Sequence, residues 1–356
     1  MKKYFLAVLT FFVSIPVLMQ AQKNKKPMNI IFILSDDHRY DFMGFTGAVP
    51  GLQTPGMDKM AREGAHVKNA FVTTALCSPS RASILTGQYA HTHTVVDNSA
   101  PLPNNLTFYP QYLQKNGYKT AFLGKWHMGN TGDTPQPGFD EWVSFEGQGQ
   151  YFGNTLNVNG KREKLDSDNY ITDELTTRAE KWMSTVKDKP FAMYLSNKGV
   201  HAEFMPAKRH QGKYKDLPVI SPQSMYLTVT DSSKQFGVVT PPKSTVNYKD
   251  IPRWVRDQRY SWHGVDYMYH GQIPFDEFYH LYLETLLAVD ESIQSVIKWV
   301  EDSGLKENTM IVYMGDNGFL FGEHGLIDKR NAYEESMRVP MLVWAPGIVK
   351  ANSVVP

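Results

Sequence analysis

Short apolar segments that end in polar residues recur along this chain, and their alternation with helical segments constrains the fold most strongly. The first is the β-branched run 30–34, which ends in Ser35, Asp36 and Asp37. Such a run is typical of a strand buried on both faces of a parallel sheet, with a loop at its carboxyl end. Further strands of this kind are predicted within 67–74, 118–127, 190–201, 309–318 and 339–347.

Segments with helical periodicity separate the apolar runs. Pro55 and Gly64 mark the start and the stop of a helix over 54–64. Further helices are predicted over 81–89, 105–117, 173–186 and 276–303. Strands that alternate with helices predict an α/β fold with a large, mostly parallel central sheet flanked by helices.

The first residues, 1–21, predict export. Lys2 and Lys3 precede an apolar stretch, and Ala21 precedes a polar segment. This order is that of a secretory signal peptide, and the apolar stretch is too short to span a membrane comfortably. We therefore expect an exported chain, periplasmic or secreted, with no membrane span after the signal is cleaved.

The composition supports a folded core and excludes one class of partner. Hydrophobic residues make up 42% of the 356 residues and aromatic residues 13%, which suits one large domain or a large domain with a small one. The formal net charge is +1, and it becomes −1 without Lys2 and Lys3. A nucleic-acid-binding protein would need a basic excess, so no nucleic acid partner is expected.

One long segment, about 205–275, has weak periodicity and is rich in proline, aromatic residues, arginine and histidine. Loops of this length are often functional, so the segment could form a rim for substrate. It could equally be an irregular loop with a small aromatic core of its own. Its candidate contact residues are Trp254, Tyr260, Trp262, His263, Tyr267 and Tyr269.

The polar residues after the predicted strands are the candidates for a site, because ligands bind outside the carboxyl ends of the strands in an open parallel sheet. They are Asp36, Asp37, Cys77, Ser80, Arg81, Lys125, His127, Asn197, His201, Asp316, Asn317, His324 and Lys329. Taken singly, each has a structural interpretation. Asp36 and Asp37 could cap a helix, and His127 could be buried beside Trp126.

Taken together, these residues predict a site for a metal and an anion. Carboxylates that meet at one sheet edge repel one another unless a cation neutralises them. The oxygen ligands Asp36, Asp37, Asp316 and Asn317 suit a hard divalent ion, Ca²⁺ or Mg²⁺. The cations around them, with the histidines, would form a pocket for a compact oxyanion such as sulfate or phosphate.

Cys77 is the single cysteine, so it cannot close a disulfide within its own chain. A buried, inert thiol is the ordinary interpretation of a lone cysteine. The neighbouring residues suggest a different interpretation, because Cys77 is the first residue of the sequence "CSPSR" at residues 77–81.

The chain resembles the type I sulfatases of the alkaline-phosphatase-like superfamily. "CSPSR" fits the C-x-P-x-R signature of that family, and "ASILTG" follows at its usual place. The resemblance also covers "LSDDHR", "GKWH", "VH" at 200–201, "GDNG" and "DKRNAYEESMRVPMLV", in the order of the family. It implies a catalytic domain over 27–356 that is incomplete at its C-terminus, since family members usually continue into a small subdomain.

The resemblance implies a modified nucleophile beside a metal. A maturation enzyme would convert Cys77 to Cα-formylglycine (3-oxoalanine), whose hydrate would attack sulfur, and Arg81 would help to orient it. A divalent ion, usually Ca²⁺ with Mg²⁺ possible, would be held at that point. Its ligands would be Asp36, Asp37, Asp316, Asn317 and the modified Cys77.

The resemblance also assigns roles to the cations and histidines. Lys125 and Lys329 would bind the sulfate oxygens, and His201 would protonate the departing alcohol. His127 would contact the hydrate and help to expel sulfate. His324 would have a structural role or would contact the metal ligands without binding the ion. Asn197 is only a candidate residue of the site.

The implied activity is that of a sulfuric ester hydrolase acting on a sulfated carbohydrate, similar to bacterial carbohydrate sulfatases and to the N-acetylglucosamine-6-sulfatase branch. Two alternatives stay open at this point. A phosphomonoester or phosphonate-ester hydrolase of the same superfamily would share the pocket. A non-catalytic, glycan-binding protein would keep the fold alone.

Overall fold

The computed structural model describes residues 27–130, 132–225, 252–258, 261–265 and 273–356. The signal peptide predicted over 1–21 lies outside these ranges and stays a prediction. So do Tyr260, Tyr267 and Tyr269 of the predicted rim. In the described part of the chain, no helix has the length and apolar character needed to cross a membrane.

Within the described residues, ten strands form one sheet and two form a small antiparallel pair. In chain order the strands are β1 (Asn29–Ser35), β2 (Ala65–Val67), β3 (Lys119–Lys125), β4 (Glu141–Phe145), β5 (Thr155–Val158), β6 (Lys161–Lys164), β7 (Phe191–Ser196), β8 (Thr309–Gly315), β9 (Leu320–Phe321), β10 (Ile327–Asp328), β11 (Met341–Trp344) and β12 (Ser353–Val355). The order across the sheet is β12-β2-β11-β8-β1-β7-β3-β4-β5-β6.

Helices connect these strands and cover both faces of the sheet. Those in the described ranges are α1 (Pro55–Glu63), α2 (Cys77–Thr86), α3 (Ala90–His93), α4 (Tyr109–Lys115), α5 (Ile171–Val186), α6 (Arg253–Gln258), α7 (Phe275–Asp302) and α8 (Glu334–Met337). The α/β fold predicted from the alternation is therefore confirmed.

The centre of the sheet is parallel and its flanks are mixed. The neighbouring strands β8, β1, β7, β3 and β4 all pair in parallel. Beyond them, β11 is antiparallel to β8, and β5 is antiparallel to β4. Because parallel strands end on the same side, the carboxyl ends of β1, β3, β7 and β8 meet at one edge of the sheet.

Alternate residues of the central strands pack into two separate cores, as a period of two requires. Ile31 and Ile33 of β1 pack on one face, in the core that includes α1, α5 and α7. Phe32 and Leu34 point to the other face, where Trp126 and Trp142 lie with α2. Strand β1 is thus covered on both sides, which accounts for its continuous apolar sequence.

Two predicted elements differ from the structure. The strand predicted over 67–74 is the three-residue β2 followed by a loop, in which Phe71 makes an isolated bridge to Arg338. The helix predicted from Arg81 begins at Cys77 instead. Pro79 is compatible with this start because the first turn of a helix needs no backbone N–H from that position.

Helix α7 fixes the start of α1 through a single buried carboxylate. The Oδ2 atom of Asp290 accepts a hydrogen bond from the Gly56 N–H at 3.0 Å, and its Oδ1 accepts one from the Met57 N–H at 2.8 Å. Gln294 Nε2 also donates to Asp290 Oδ2, at 2.8 Å. Asp290 therefore satisfies two N–H groups that the first turn of α1 leaves without a partner.

We expect Asp290→Ala to lower the free energy of unfolding by about 1–3 kcal/mol, because it leaves those buried N–H groups unsatisfied. Urea unfolding followed by tryptophan fluorescence measures this loss. Asp302→Ala is the control, since Asp302 is exposed and pairs with Lys298 alone on the helix surface. Equal stability losses in the two variants would contradict this role of Asp290.

The stability contribution of Asp290 also depends on pH. Burial raises the pKa of Asp290 to about 6, against the opposing effect of the hydrogen bonds from Gly56 and Met57. A native pKa above the unfolded value means that this contribution is full below about pH 4 and is lost as the pH rises through about 6. The free energy of unfolding should therefore fall relative to that of Asp290→Asn between about pH 4 and pH 7. Parallel pH profiles of the two proteins in urea titrations would argue against it.

Candidate active site

Three buried carboxylates, Asp36, Asp37 and Asp316, form what we call the acidic cluster at the carboxyl edge of the sheet. Each offers an oxygen, and these oxygens all lie within 4.8 Å of one another. Backbone hydrogen bonds hold the chain here, since Asp316 N–H donates to Ser35 O at 2.9 Å and Asp37 N–H donates to Asp316 Oδ1 at 3.1 Å. The pairing of β1 with β8 therefore fixes the geometry of the cluster.

Arg81 of α2 connects the acidic cluster to the neighbouring strands. Its Nε donates to Asp316 Oδ2 at 2.9 Å, and its second terminal nitrogen donates to Asp36 Oδ2 at 3.2 Å. The other terminal nitrogen donates to Lys125 O at 2.6 Å and to Ser196 Oγ at 2.7 Å. The guanidinium is fully buried and fully engaged, so it is a rigid part of the site.

Two lysines also bind carboxylate oxygens of the acidic cluster. Lys329 Nζ donates to Asp37 Oδ1 at 2.5 Å and to its Oδ2 at 2.6 Å. Lys125, the last residue of β3, donates to Asp36 Oδ2. Both lysines are buried, and each therefore depends on its carboxylate for charge compensation.

The carboxylates differ in their acidity. Burial raises the pKa of Asp37 to about 8; Lys329 opposes this rise, and Asp36 and Asp316 add to it. Burial also raises the pKa of Asp316. For Asp36 burial acts in the same direction, but Lys125, His201 and Arg81 outweigh it and hold its pKa well below the ordinary value. Mutual repulsion in the cluster is thus only partly relieved by the cations of the chain.

Cys77 lies directly over the acidic cluster as the first residue of α2. Its Sγ is 3.4 Å from Asp36 Oδ1 and 3.8 Å from Lys125 Nζ. Burial raises the pKa of the Cys77 thiol far above its usual value, and Asp36 adds to the effect. The thiol is therefore protonated at neutral pH and is a poor nucleophile as it stands.

The donor atoms of the cluster fit a hard divalent cation. Asn317 Nδ2 donates to Asp37 Oδ1 at 2.7 Å, whereas Asn317 Oδ1 is buried and has no hydrogen-bond partner among the described residues. An unpartnered amide oxygen beside three carboxylates matches the ligands that Ca²⁺ and Mg²⁺ prefer. The cations of the chain already match the three carboxylates in charge. A divalent cation and an oxyanion can therefore enter together with little change in net charge.

The two candidate histidines differ in their place in the site, since a ring nitrogen of His201 lies within 4.8 Å of Cys77 Sγ and of an Asp36 oxygen, whereas His127 is buried beside Gln148. Burial lowers the pKa of His127 to about 2, and Lys125 adds to the effect. Burial, Lys329 and Lys125 also lower the pKa of His201 well below its ordinary value. His201 Nδ1 bonds the carbonyl of Ala202, which can only accept, so Nδ1 carries a hydrogen and Nε2 faces Asp37 Oδ2 at 3.9 Å.

A cleft of about 610 Å³ opens from His201 towards solvent. Its lining includes Gln148, Tyr151, Lys198, His201, Trp262 and Arg330. Among the described members of the predicted aromatic rim, Trp262 lines the cleft. Trp254 is exposed in α6 and does not line it in the described part of the chain.

The contacts described above bring together most of the predicted site residues, namely Asp36, Asp37, Cys77, Arg81, Lys125, His201, Asp316, Asn317 and Lys329. The ring of His324 instead stacks on Tyr333 with centroids 3.8 Å apart, and its backbone N–H donates to Ser224 Oγ. Asn197 is buried directly after β7, and neither of its amide atoms has a partner in the described ranges.

Sequence reasoning missed three residues of this site. Ser196 accepts from Arg81 and donates to Lys125 O at 2.8 Å. Gln148 Nε2 lies 3.4 Å from His127 Nε2. Lys198 lines the cleft. Ser196 and Lys198 lie at the polar end of a predicted strand, so that position was a usable signal, whereas Gln148 follows a strand that the sequence pattern did not predict.

Comparison with known sequences gives one consistent result. A family model described as Sulfatase matches residues 28–355. The N-acetylglucosamine-6-O-sulfatase of Bacteroides thetaiotaomicron is 33% identical over 374 residues, which cover 94% of this chain and 65% of that protein. The human N-acetylglucosamine-6-sulfatase is 28% identical over 344 residues, which cover 90% of this chain and 56% of that protein. The chain thus spans between about half and two thirds of the length of these curated relatives.

Solved structures show the same fold. A protein in complex with its substrate D-glucosamine-2-N,6-O-disulfate superposes with a TM-score of 0.75 at 31% identity, over 92% of this chain and 73% of that chain. The phosphonate monoester hydrolase of Agrobacterium radiobacter superposes with a TM-score of 0.65 at 17% identity, over 92% of this chain and 70% of that chain. The second likeness concerns the fold alone.

Asn317→Ala should weaken the binding of Ca²⁺ or Mg²⁺ by on the order of tenfold or more, because it removes the unpartnered amide oxygen beside the acidic cluster. Isothermal titration calorimetry with each ion measures the dissociation constant. Asn116→Ala is the matched control, since Asn116 is exposed and its side chain donates to Tyr112 O. Unchanged affinity in Asn317→Ala would remove Asn317 from the ligand set.

Proposed function

The chain belongs to the sulfatase family, and on that premise we propose that it hydrolyses a sulfate ester of a sugar, the 6-O-sulfate of a glucosamine derivative being the first candidate. One observation carries the proposal. Cys77, Arg81 and two lysines meet the acidic cluster in one buried place, beside an open cleft.

We propose that Cys77 acts after oxidation to Cα-formylglycine by a maturation enzyme. Its thiol is buried and its pKa is raised far above the usual value, so the unmodified side chain is an unsuitable nucleophile. The hydrated aldehyde would supply a hydroxyl nucleophile that can later release sulfate. Asp36 and Lys125 contact the Cys77 side chain and would orient the modified group.

Asp36, Asp37, Asp316 and Asn317, with the modified residue 77, would hold the divalent ion. When bound, such an ion polarises sulfate oxygens and lowers the pKa of a nearby hydroxyl. Ca²⁺ is the first candidate, and Mg²⁺ suits the same oxygen donors.

The cations of the chain would bind the sulfate group. Lys125 binds Asp36 and its Nζ lies 3.8 Å from Cys77 Sγ, and Lys329 binds Asp37 in the same cluster. Their ammonium groups can therefore approach the oxygens of a sulfate beside residue 77 and stabilise charge that develops there. Arg81 is held by four hydrogen bonds, so its role is to fix the carboxylates and residue 77.

His201 would donate a proton to the departing sugar hydroxyl. It lines the cleft, and Nε2 is the nitrogen free to carry that proton because Nδ1 is bonded to the Ala202 carbonyl. An anionic sulfate ester would offset Lys125 and Lys329, whose charges depress the pKa of His201. His127, beside Gln148, would contact the hydrate of residue 77 and accept its second proton when sulfate leaves.

The names of the relatives support the proposed sugar substrate and the proposed export. Several relatives are named N-acetylglucosamine-6-sulfatase, and others are named extracellular sulfatases. With the predicted signal peptide, these names support an exported enzyme that acts on a sulfated carbohydrate. The cleft beside His201, with Trp262 at its wall, would hold the sugar.

The proposal is tested by producing the chain together with a formylglycine-generating enzyme. Mass spectrometry of the peptide that contains residue 77 should show the aldehyde. The protein should then hydrolyse an aryl sulfate faster than the matching aryl phosphate. Cys77→Ala should lose at least about a thousandfold in kcat/KM, because the nucleophile is absent.

Ser83→Ala is the control in the same helix, since Ser83 bonds Thr73 and His93 away from the cluster. Faster turnover of the phosphate would favour a phosphoester hydrolase. A residue 77 that remains a thiol beside a competent maturation enzyme would favour a glycan-binding protein.

A further inference from the structure

Lys198 is a buried lysine at the inner end of the cleft that the proposed reaction does not use. Only 4% of the residue is exposed. Its Nζ lies over the ring of Tyr151 at 4.6 Å from the centroid. The Tyr151 hydroxyl donates to His201 O at 2.7 Å. Tyr151 therefore contacts both the Lys198 ammonium and the backbone of His201.

The Lys198 ammonium has no counter-ion in the described part of the chain. Lys125 and Lys329 each bind a carboxylate of the acidic cluster, whereas no carboxylate or hydrogen-bond acceptor contacts Lys198 there. Burial and Lys125 lower the pKa of Lys198 to about 8, which leaves it mainly protonated at neutral pH. A buried ammonium with only a ring for a partner costs free energy, and a bound anion would offset that cost.

The position of Lys198 decides which anion it can meet. Lys125 and Lys329 bind the acidic cluster beside residue 77, where the scissile sulfate is proposed to lie. Lys198 lines the cleft together with His201, on the side where the departing alcohol must sit. A group bound at Lys198 therefore belongs to the sugar and not to the sulfate that is removed.

The other charged residues that line the cleft are less suited than Lys198 to bind a buried anion. Arg330 also lines the cleft, but its Nε is 3.3 Å from Asp328 Oδ2. Glu203 is the acidic residue of the lining and is exposed at the rim, whereas Lys198 is buried. An anion that reaches Lys198 in the cleft thus meets a buried ammonium that no carboxylate contacts within the described residues.

We propose that Lys198 is a specificity residue that binds a second sulfate group on the sugar ring that carries the scissile sulfate. This inference rests on the proposed sulfatase function and names the substrate class of the same site. The enzyme then prefers a disulfated monosaccharide to a monosulfated one. The second sulfate stays on the product, because the proposed reaction removes only the sulfate that residue 77 attacks.

The test compares two sugars, D-glucosamine-2-N,6-O-disulfate and N-acetyl-D-glucosamine-6-sulfate, with the chain carrying formylglycine. The kcat/KM for the disulfated sugar should exceed that for the monosulfated one by about tenfold or more. Lys198→Met keeps the aliphatic packing on Tyr151 and removes the charge, so that ratio should fall to about one. Lys198→Arg should restore most of it, and Lys208→Met, on an exposed lysine paired with Asp168, should keep the original ratio.

A wild-type ratio of one or less, or an unchanged ratio in Lys198→Met, overturns the proposal. Binding separates its failure from that of the sulfatase function. In a Cys77→Ala background, which cannot turn over, calorimetry should show that Lys198→Met weakens binding of the disulfated sugar by about tenfold more than binding of the monosulfated sugar. If neither sugar nor an aryl sulfate is hydrolysed while this binding difference persists, the sulfatase function fails and the anion site stands.

Discussion

The burial of three carboxylates at one edge of the sheet is the constraint on which the rest of the site depends. Strands β1 and β8 pair in parallel and in register, so Asp36, Asp37 and Asp316 leave the sheet side by side. Each of them would be costly to ionise there without a cation. The cations that bind these carboxylates offset that cost.

The cations that bind the cluster come from three different parts of the chain, and this dispersion makes the site depend on the whole fold. Arg81 comes from α2, Lys125 from β3, and Lys329 from the loop after β10. Arg81 also bonds Lys125 O and Ser196 Oγ, so one side chain connects the ends of β1, β3, β7 and β8. The central strands and the site are therefore stabilised by the same contacts.

Much of this arrangement could be predicted from the sequence, for a physical reason. A strand covered on both faces is apolar throughout, and its first polar residues must lie at the carboxyl edge, as Asp36 and Asp316 do. Strand β6 was not predicted because it is wholly exposed and carries no apolar pattern, and β4 and β5 were not predicted because they are only five and four residues long. Lys198 was not predicted because its contact with the Tyr151 ring and the effect of Lys125 on its pKa involve residues that are remote in sequence. The start of α2 at Cys77 escaped because Pro79 suggests a break where it in fact fits the first turn.

The complete burial of Cys77 constrains the order in which the chain can fold and be modified at this residue. In the folded protein its side chain is enclosed by Asp36, by Lys125 and by the helix that it begins. The enclosure is complete only when β8, more than two hundred residues later in the chain, has paired with β1 and delivered Asp316 to Arg81. Any enzyme that oxidises Cys77 must therefore meet the chain before that pairing, while the segment around residue 77 is still accessible. The time available for the modification proposed for Cys77 would thus be set by how late strands such as β8 are synthesised and paired.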